Sequence, residues 1–318
     1  MKRIFVFYHY VARGYGHMIR SVFLFLIALA APAVLAQNCT TYVLVDPFNG
    51  KTGRGLDDLT AERFQASMGN ASLPVVSATQ NFNNRVLVLT ETSGSADSKE
   101  IDALVRGIAA KARTAPDGRP IAFGAFAEEA IIGKEFLDDP RKRSSAIDEV
   151  LAQAARLPGK YASLFDSLHQ AIAVFGPHQP GDTILLLTDG HDNKSKRNLN
   201  DMEKEFAASG TRLLVVIRPK FTPTGVFRDF RQHTREEDLS LKILSSSTGG
   251  AYTGFRNDRF LEFAWVGYLL GIQAPATLDK PKEWKLQIKD PNGKIDKNVF
   301  LYSPWHLTPC GPVTAAAR

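Results

Sequence analysis

Four short apolar runs, separated by amphipathic segments, constrain the fold of this chain more than any other feature. The runs cover residues 85–90, 121–126, 183–188 and 213–217. Apolar and polar residues do not alternate within them, which is the pattern of strands buried on both faces. Alternation of such strands with helices predicts the α/β class: a doubly wound, mostly parallel sheet flanked by helices.

Four stripes of apolar residues at helical spacing predict the helices of this fold, and we interpret each stripe as a core-packing face. A basic run, Arg141–Arg143, precedes the second helix, which we expect to begin near Ser144 or Ser145. We interpret that run as a solvated loop. The four stripes are Ile101, Leu104, Val105 and Ile108; Ile147, Val150, Leu151 and Ala154; Leu164, Leu168, Ile172 and Phe175; and Leu261, Trp265, Tyr268 and Leu269.

The N-terminal segment is typical of an exported protein. Residues 21–36 are apolar, follow Arg20 and end in small residues, which predicts a secretory signal peptide cleaved before Gln37. A membrane anchor is the alternative, but this run is short for a hydrocarbon core about 30 Å thick. Met18 would also begin a good signal, which would make residues 1–17 an extension. We expect a secreted, periplasmic or cell-envelope protein with no stable membrane span after cleavage.

The basic character of the chain lies largely in this leader. The whole chain has 39 Lys and Arg against 33 Asp and Glu, a formal net charge of +6. The leader has no acidic residue, so its removal lowers the net charge to +2 by subtracting Lys2, Arg3, Arg13 and Arg20. Nucleic-acid binding thereby loses its main compositional support.

Two cysteines, Cys39 and Cys310, lie near the two ends of the exported part. An oxidising compartment permits one bridge between them, and two free thiols are the alternative. Each end also carries an Asn-Gly turn typical of a β-hairpin, within 45–51 and 289–294. We therefore predict a Cys39–Cys310 disulfide in a small β subdomain. The predicted segments are 1–36 (signal peptide), 37–84 (N-terminal β segment), 85–275 (α/β domain) and 276–318 (C-terminal β segment packing with 37–84).

Two strand ends carry oxygen-bearing side chains. The run 85–90 is followed by ETSGS (91–95), and the run 183–188 by DGHDN (189–193). In an open α/β sheet, ligands bind outside the carboxyl ends of the strands. Carboxylate and hydroxyl oxygens are the ligands that hard divalent cations prefer.

Five segments, in this order along the chain, carry a family resemblance: LVDPFNGK…GLDDLTAERF, RVLVLTETSGS, ASLFDSLHQAI, LLLTDGHDN and STGGAYTGF. Together they resemble the von Willebrand factor type A family, in particular the VWFA-related domain of secreted bacterial proteins, often called the acidobacterial type. The resemblance implies a central sheet with a metal-ion-dependent adhesion site at its upper edge. There an Asp-x-Ser-x-Ser turn, a Thr and a later Asp hold Mg²⁺ or a similar ion, and a carboxylate of a protein partner completes the coordination.

The chain departs from that site pattern twice. Glu91 replaces the first Asp and is one methylene longer, while Ala162 stands at the Thr position and supplies no oxygen. Mg²⁺ demands near-octahedral geometry, so water at reduced affinity would have to replace a lost ligand. Two interpretations stay open: a degenerate site for Mg²⁺ or another divalent cation, and a metal-free structural turn. The candidate ligands are Glu91, Ser93, Ser95, Ser163 and Asp189.

A long segment, 219–236, follows the carboxyl end of the run 213–217 and therefore lies at the same predicted edge. A loop of this length without periodicity is uncommon in a compact domain and is often functional. Aromatic and Arg side chains are common interface anchors. We expect the loop to border or cover a partner-binding surface; the alternative is a loop that buries its own phenylalanines. Its candidate contact residues are Phe221, Phe227, Arg228, Phe230 and Arg231.

These observations favour a protein-binding or adhesion module over an enzyme. One alternative is a structural cell-envelope protein with a metal-free vestigial site. Another is a hydrolase that uses the strand-edge carboxylates, but no Gly-x-Ser-x-Gly elbow or Cys–His pairing accompanies them. No phosphate loop is present, and no Gly-x-Gly-x-x-Gly follows the first strand, so a nucleotide site has no support.

Overall fold

A computed structural model describes residues 38–80, 82–93, 98–116, 118–157, 159–217, 235–254 and 261–310. The predicted signal peptide, Ser95 and the loop residues Phe221, Phe227, Arg228, Phe230 and Arg231 lie outside these ranges, so the expectations for them stay predictions. No helix in the described ranges has the length and hydrophobicity needed to cross a bilayer.

The described chain folds into strands and helices whose order matches the α/β expectation. The strands are β1 (Asn38–Asn49), β2 (Phe64–Met68), β3 (Ala71–Leu73), β4 (Val75–Thr79), β5 (Val86–Glu91), β6 (Ile121–Phe126), β7 (Ala130–Ile132), β8 (Thr183–Thr188), β9 (Arg212–Ile217), β10 (Tyr252–Gly254), β11 (Tyr268–Pro275), β12 (Lys282–Glu283), β13 (Lys285–Ile288), β14 (Val299–Tyr302) and β15 (His306–Leu307). The helices are α1 (Ser98–Arg113), α2 (Pro140–Ala154), α3 (Leu164–Val174), α4 (Leu199–Ser209) and α5 (Arg235–Ser247), with 3₁₀ turns at Ala61–Arg63 and Glu262–Trp265.

The central sheet has six strands in the order β10-β9-β8-β5-β6-β7. Neighbouring strands are parallel except at the edge, where β7 is antiparallel to β6. Every residue of β5, β6, β8 and β9 is buried, as the continuous apolar runs predict. One face packs on α1 and α2 through residues such as Val88, Ile108 and Ile147, and the other on α3, α4 and α5. The predicted fold class is confirmed.

Helix α2 begins earlier than expected, and its basic run is not a solvated loop. Pro140 takes the first helical position, and the Asp139 carboxylate caps the helix by accepting the N–H groups of Arg141 and Lys142. Arg143 is only 1% exposed. Its guanidinium donates to the carbonyls of Leu137, Asp138, Ala112 and Ala115, so it joins α2 to the C-terminal end of α1.

The two ends of the described chain pair into β structure, as predicted. Strand β1 lies in a four-stranded antiparallel sheet of order β14-β1-β11-β4, and β13, β2 and β3 form a second antiparallel sheet. Cys39 and Cys310 are joined by a disulfide that links residues 271 positions apart. Apolar side chains between these sheets, including Val45, Phe64 and Ile288, form their own core.

The prediction of a fourth helix is wrong for the second half of its apolar stripe. Leu261 and Trp265 lie at a 3₁₀ turn, but Tyr268 and Leu269 open strand β11, which pairs with β1 and β4 rather than packing on the central sheet. Gly267 explains the break. Its φ of +118° favours glycine, and a Cβ there would approach the Val45 carbonyl oxygen to 2.4 Å. The chain therefore turns out of the helical geometry and runs against β1.

Candidate functional site

The ends of β5 and β8 meet at one edge of the central sheet because these strands are parallel neighbours in register, with Thr90 opposite Leu187. Glu91 closes β5, and Asp189 follows β8 directly. The Asp189 N–H donates to Glu91 Oε2 at 2.9 Å. The structure thus brings Glu91, Ser93 and Asp189 together at this edge, as the strand order predicts.

The Glu91 carboxylate is the centre of the arrangement. It is 1% exposed and accepts the Ser93 hydroxyl on Oε1. The Thr188 hydroxyl donates to Oε2 at 2.6 Å, alongside the Asp189 N–H. Charge-assisted hydrogen bonds of this kind offset the cost of burying a carboxylate. The extra methylene of Glu, compared with Asp, lets the side chain reach from β5 to the end of β8.

The turn after β8 is built from its own polar side chains. Thr188 Oγ1 accepts the Gly190 N–H at 2.9 Å, and Asp189 Oδ1 accepts the His191 N–H at 3.0 Å. Gly190 has a φ of +88°, a conformation that favours glycine. The Asp-Gly sequence therefore shapes this turn.

Ser163 takes a different role from the one expected of it. Its hydroxyl donates to the Glu128 carbonyl at 2.8 Å, and its N–H donates to the Ala127 carbonyl at 2.8 Å. These bonds fasten the start of α3 to the turn between β6 and β7. Ala162 exchanges hydrogen bonds with Asn193: its N–H donates to Asn193 Oδ1, and its carbonyl accepts the Asn193 N–H. The Ala162 loop is thus held at the edge by its backbone.

The residues present do not fit the Mg²⁺ site that the resemblance implies. Both Glu91 oxygens accept hydrogen bonds from protein donors, and Ala162 offers no side-chain oxygen. Within the described ranges, no three His, Cys, Asp or Glu side chains gather closely enough to hold a metal ion. An octahedral ion would have to displace the hydrogen bonds that join β5 to β8.

Sequence reasoning missed two groups of residues at this edge. Thr188 is fully buried at the end of an apolar run that predicts only a core strand, although its hydroxyl donates to Glu91. Asp192 and Asp166 hold the loop after β8 against the start of α3. Asp192 Oδ2 accepts the Phe165 N–H, and Asp166 accepts the N–H groups of Lys196 and Arg197. A run of short polar residues before a helix is the signal that could have identified them.

Two lysines and one tyrosine lie close together in the described part of this edge. The Lys160 and Lys194 ammonium groups lie 5.1 Å and 5.0 Å from the centroid of the Tyr161 ring. Lys194 also pairs with Glu128 at 3.4 Å. Gly159 lies near the Thr92 carbonyl, which places this cluster beside the turn after β5. We call Lys160, Tyr161 and Lys194 the lysine–tyrosine cluster.

Comparison with known proteins finds likeness at the level of solved structures. No family model matches the chain, and no curated protein matches it. Similar structures include a von Willebrand factor type A protein from Catenulispora acidiphila, at 15% identity over 84% of this chain and 75% of that chain, with a TM-score of 0.45. BatB from Bacteroides thetaiotaomicron is 15% identical over 57% of this chain and 95% of that one, with a TM-score of 0.42. The ArnB paralog VWA2 from Sulfolobus acidocaldarius is 12% identical over 85% and 76%, with a TM-score of 0.39.

Proposed function

We propose that this chain is an exported, non-enzymatic binding module that contacts a protein partner through the carboxyl edge of its central sheet. The hydrogen bonds of Glu91 carry the proposal. They join the ends of β5 and β8 within the protein itself, and we therefore expect the edge to be ordered without an ion. A surface that is already ordered loses less conformational entropy on binding.

The edge residues have two separate roles, one structural and one at the surface, and this separation favours binding over catalysis. The carboxylates of Glu91, Asp166 and Asp192 accept backbone or hydroxyl donors and thereby hold the loops in place. The lysine–tyrosine cluster adds two ammonium groups and an aromatic ring to the edge. Tyr is enriched among interface anchors, and ammonium groups over an aromatic face keep that ring ordered. An acidic partner surface complements such a cluster.

Site-specific crosslinking tests the proposal. The photoreactive amino acid p-benzoylphenylalanine replaces Lys160 at the edge or, as a matched control, Gln179, which is exposed at the opposite end of the strands. We expect a discrete crosslinked species from the native cell envelope with the probe at position 160 and none at position 179. Excess unlabelled protein should compete for it. Equal labelling from both positions, or none from either, contradicts the proposed edge.

The edge is expected to work without metal. Titration calorimetry with millimolar Mg²⁺ or Mn²⁺ should give no saturable heat, and a chelator should leave the melting temperature unchanged, because Glu91 is already satisfied by protein donors. A saturable heat that disappears in Asp189→Asn would instead establish a metal site. The Ser209→Ala variant, altered at the end of α4, controls for nonspecific effects of substitution.

The structural alternative also has a specific observation in its favour. In the described part of the edge, the side chains of Asn193, Ser163 and Asp192 form hydrogen bonds to neighbouring backbone, as in a surface with a structural role only. Charge reversal separates the two functions. Excess unlabelled protein with Lys160→Glu and Lys194→Glu should fail to compete for the species crosslinked from position 160 if the edge binds a partner, and should compete as well as the unaltered protein if the edge is only structural.

A further inference from the structure

A cavity of about 310 Å³ lies between the central sheet and the paired strands β1 and β14. Its floor is the sheet face that α1 and α2 cover elsewhere, with Leu185, Leu214 and Val216. Its opposite wall is formed by Asp46 and Phe48 of β1 together with Tyr302 of β14. Ligand pockets of this size are large enough for a small organic molecule.

The wall carries a stack of aromatic rings. Phe48 stacks on Phe300 with centroids 5.7 Å apart and on Tyr302 with centroids 5.1 Å apart. The antiparallel register explains the stack, since Asp46 lies opposite Tyr302 and Phe48 opposite Phe300, which places all four on one face. Phe300 is 58% exposed and Tyr302 37% exposed, so the stack runs from the cavity towards solvent.

Among the described residues that line the cavity, Asp46 is the one with a carboxyl group. Among the described residues its side chain has no hydrogen-bond donor, and the charge of buried Arg212 acts on it only through space. Burial raises the pKa of Asp46, and the Arg212 charge opposes that rise. Asp46 is half-buried, so its carboxyl group is only partly hydrated, and a bound molecule that donates a hydrogen bond would replace some of the missing hydration.

We propose that this cavity binds a flat aromatic molecule that carries a hydrogen-bond donor. The ring lies against Phe48 and Tyr302 and continues their stack, and the donor meets the Asp46 carboxyl group. Offset stacking of this kind favours flat rings over branched aliphatic groups. The carboxyl group disfavours anionic ligands. The proposal does not depend on the protein-binding function of the carboxyl edge.

Gly55 offers a way to fill the cavity with little strain. It lines the cavity, and an added Cβ there meets no atom within 4 Å. Its φ is not positive, so a larger residue is tolerated by the backbone. Gly107 is the matched control, because it is exposed on α1 and an added Cβ there also meets nothing within 4 Å.

The probe N-phenyl-1-naphthylamine tests the site, because it is neutral, contains a flat naphthalene ring and carries a single N–H. We expect saturable fluorescence enhancement with the disulfide-bonded protein. Affinity should fall about tenfold or more in Gly55→Leu and stay unchanged in Gly107→Leu, since a leucine side chain takes up a large part of such a cavity. Circular dichroism verifies the fold of both variants. Equal affinity in the two variants, or no saturable binding to the unaltered protein, overturns the proposal.

A ligand comparison tests the role of Asp46 without any substitution. The N-methylated analogue keeps the rings but has no N–H to donate. We expect it to bind about fivefold more weakly, because it lacks one hydrogen bond to the half-buried Asp46 carboxyl group. An anionic analogue, 1-anilinonaphthalene-8-sulfonate, should bind more weakly still. Tighter binding of the anion than of the neutral probe would contradict the assignment of the donor to Asp46.

Discussion

Glu91 holds the carboxyl edge together through three donors, so its charge and its length both matter. In Glu91→Gln, an amide N–H₂ group can replace the oxygen that accepts the Ser93 hydroxyl, which must then turn to accept, while Thr188 and Asp189 donate to a neutral amide oxygen. We expect the free energy of unfolding to fall by about 2 kcal/mol, because the charge that strengthens these buried hydrogen bonds is lost. Urea denaturation measures this change. Glu129→Gln, at an exposed glutamate, should stay within about 0.5 kcal/mol of the unaltered protein. Equal stability of Glu91→Gln and Glu129→Gln would remove Glu91 from this role.

Strand ends were predictable from sequence, but the directions of side chains were not. Parallel strands with buried faces imply that Glu91 and Asp189 share an edge, and they do. The partner of the Ser163 hydroxyl is the Glu128 carbonyl, a contact that depends on how the β6–β7 turn packs against α3. No local spacing encodes that packing. The hydrogen bond from Thr188 to Glu91 was not predicted, because a residue inside an apolar strand run is expected to be part of the core.

Arg143 joins two helices through hydrogen bonds to backbone carbonyls. Its substitution should therefore lower the free energy of unfolding more than substitution of its neighbours does. Arg143→Met keeps an apolar stem but leaves the carbonyls of Ala112 and Ala115 without their donor. We expect a loss of about 3 kcal/mol in unfolding free energy, because charge-assisted bonds at a buried site are removed. Arg141→Met, two positions earlier and exposed, should change it by less than about 0.5 kcal/mol. Similar losses in the two variants would contradict this role.

Elements were predicted well where one pattern dominated and poorly where two competed. The runs 121–126 and 183–188 coincide with β6 and β8. Arg143 lies four residues before Ile147 and seven before Val150, so helical spacing placed it on the buried stripe even though its charge favoured a loop. At Tyr268, a helix face and a buried strand both predict an apolar residue, so the sequence pattern does not distinguish them. In the structure, Tyr268 pairs with β1 and is therefore part of a strand.

The loop after β8 should become less stable at acid pH, because protonation of Asp166 weakens the hydrogen bonds that it accepts from this loop. Burial raises the pKa of Asp166, but the N–H groups of Lys196 and Arg197 and the Arg197 guanidinium lower it further, so it lies below its usual value. A lowered carboxyl pKa stabilises the fold above the unfolded pKa of about 3.9, and that contribution is lost as the pH falls through the folded pKa. The stability difference between the unaltered protein and Asp166→Asn should therefore be largest near neutral pH and shrink below about pH 4.

Urea denaturation at several pH values measures the effect of Asp166. Asp279→Asn, at an exposed aspartate in the turn after β11, serves as the matched control. A difference for Asp166→Asn that is constant from neutral pH to acid, or that the control reproduces, would show that the charge of Asp166 does not act through these bonds.

At the scale of the whole molecule, the two ends of the described chain determine how the β subdomain closes. Strand β1 pairs with β11 over Asn38–Val45 and with β14 over Asp46–Asn49, so one strand links both neighbours. The disulfide and the Asn-Gly turns made this union predictable from sequence. The inclusion of β4 and β11 in the same sheet was not, because their pairing spans nearly two hundred residues and no local signal records it.

The Cys39–Cys310 bond should contribute more stability than any single side chain of this subdomain. Cys39 lies at the start of β1, and Cys310 follows β15, so the bond closes a loop of nearly the whole described chain. Chain-entropy models give a bond across so long a loop about 4–5 kcal/mol, less any strain. The double variant Cys39→Ser/Cys310→Ser should lose stability of this order in urea, and a reducing agent should change the unaltered protein but not the variant.

Hydrogen exchange would show which strands lose stability when the disulfide is absent. Without the bond, β1 keeps its hydrogen bonds to β11 but loses its covalent link to the segment after β15, so amide exchange should speed up first at the start of β1 and at β15. The amides of β5 and β8 lie in a separate core and should exchange at their former rate under native conditions. Uniform acceleration across both regions would mean that the two cores unfold as one unit, and that the disulfide stabilises the central sheet as much as the strands it joins.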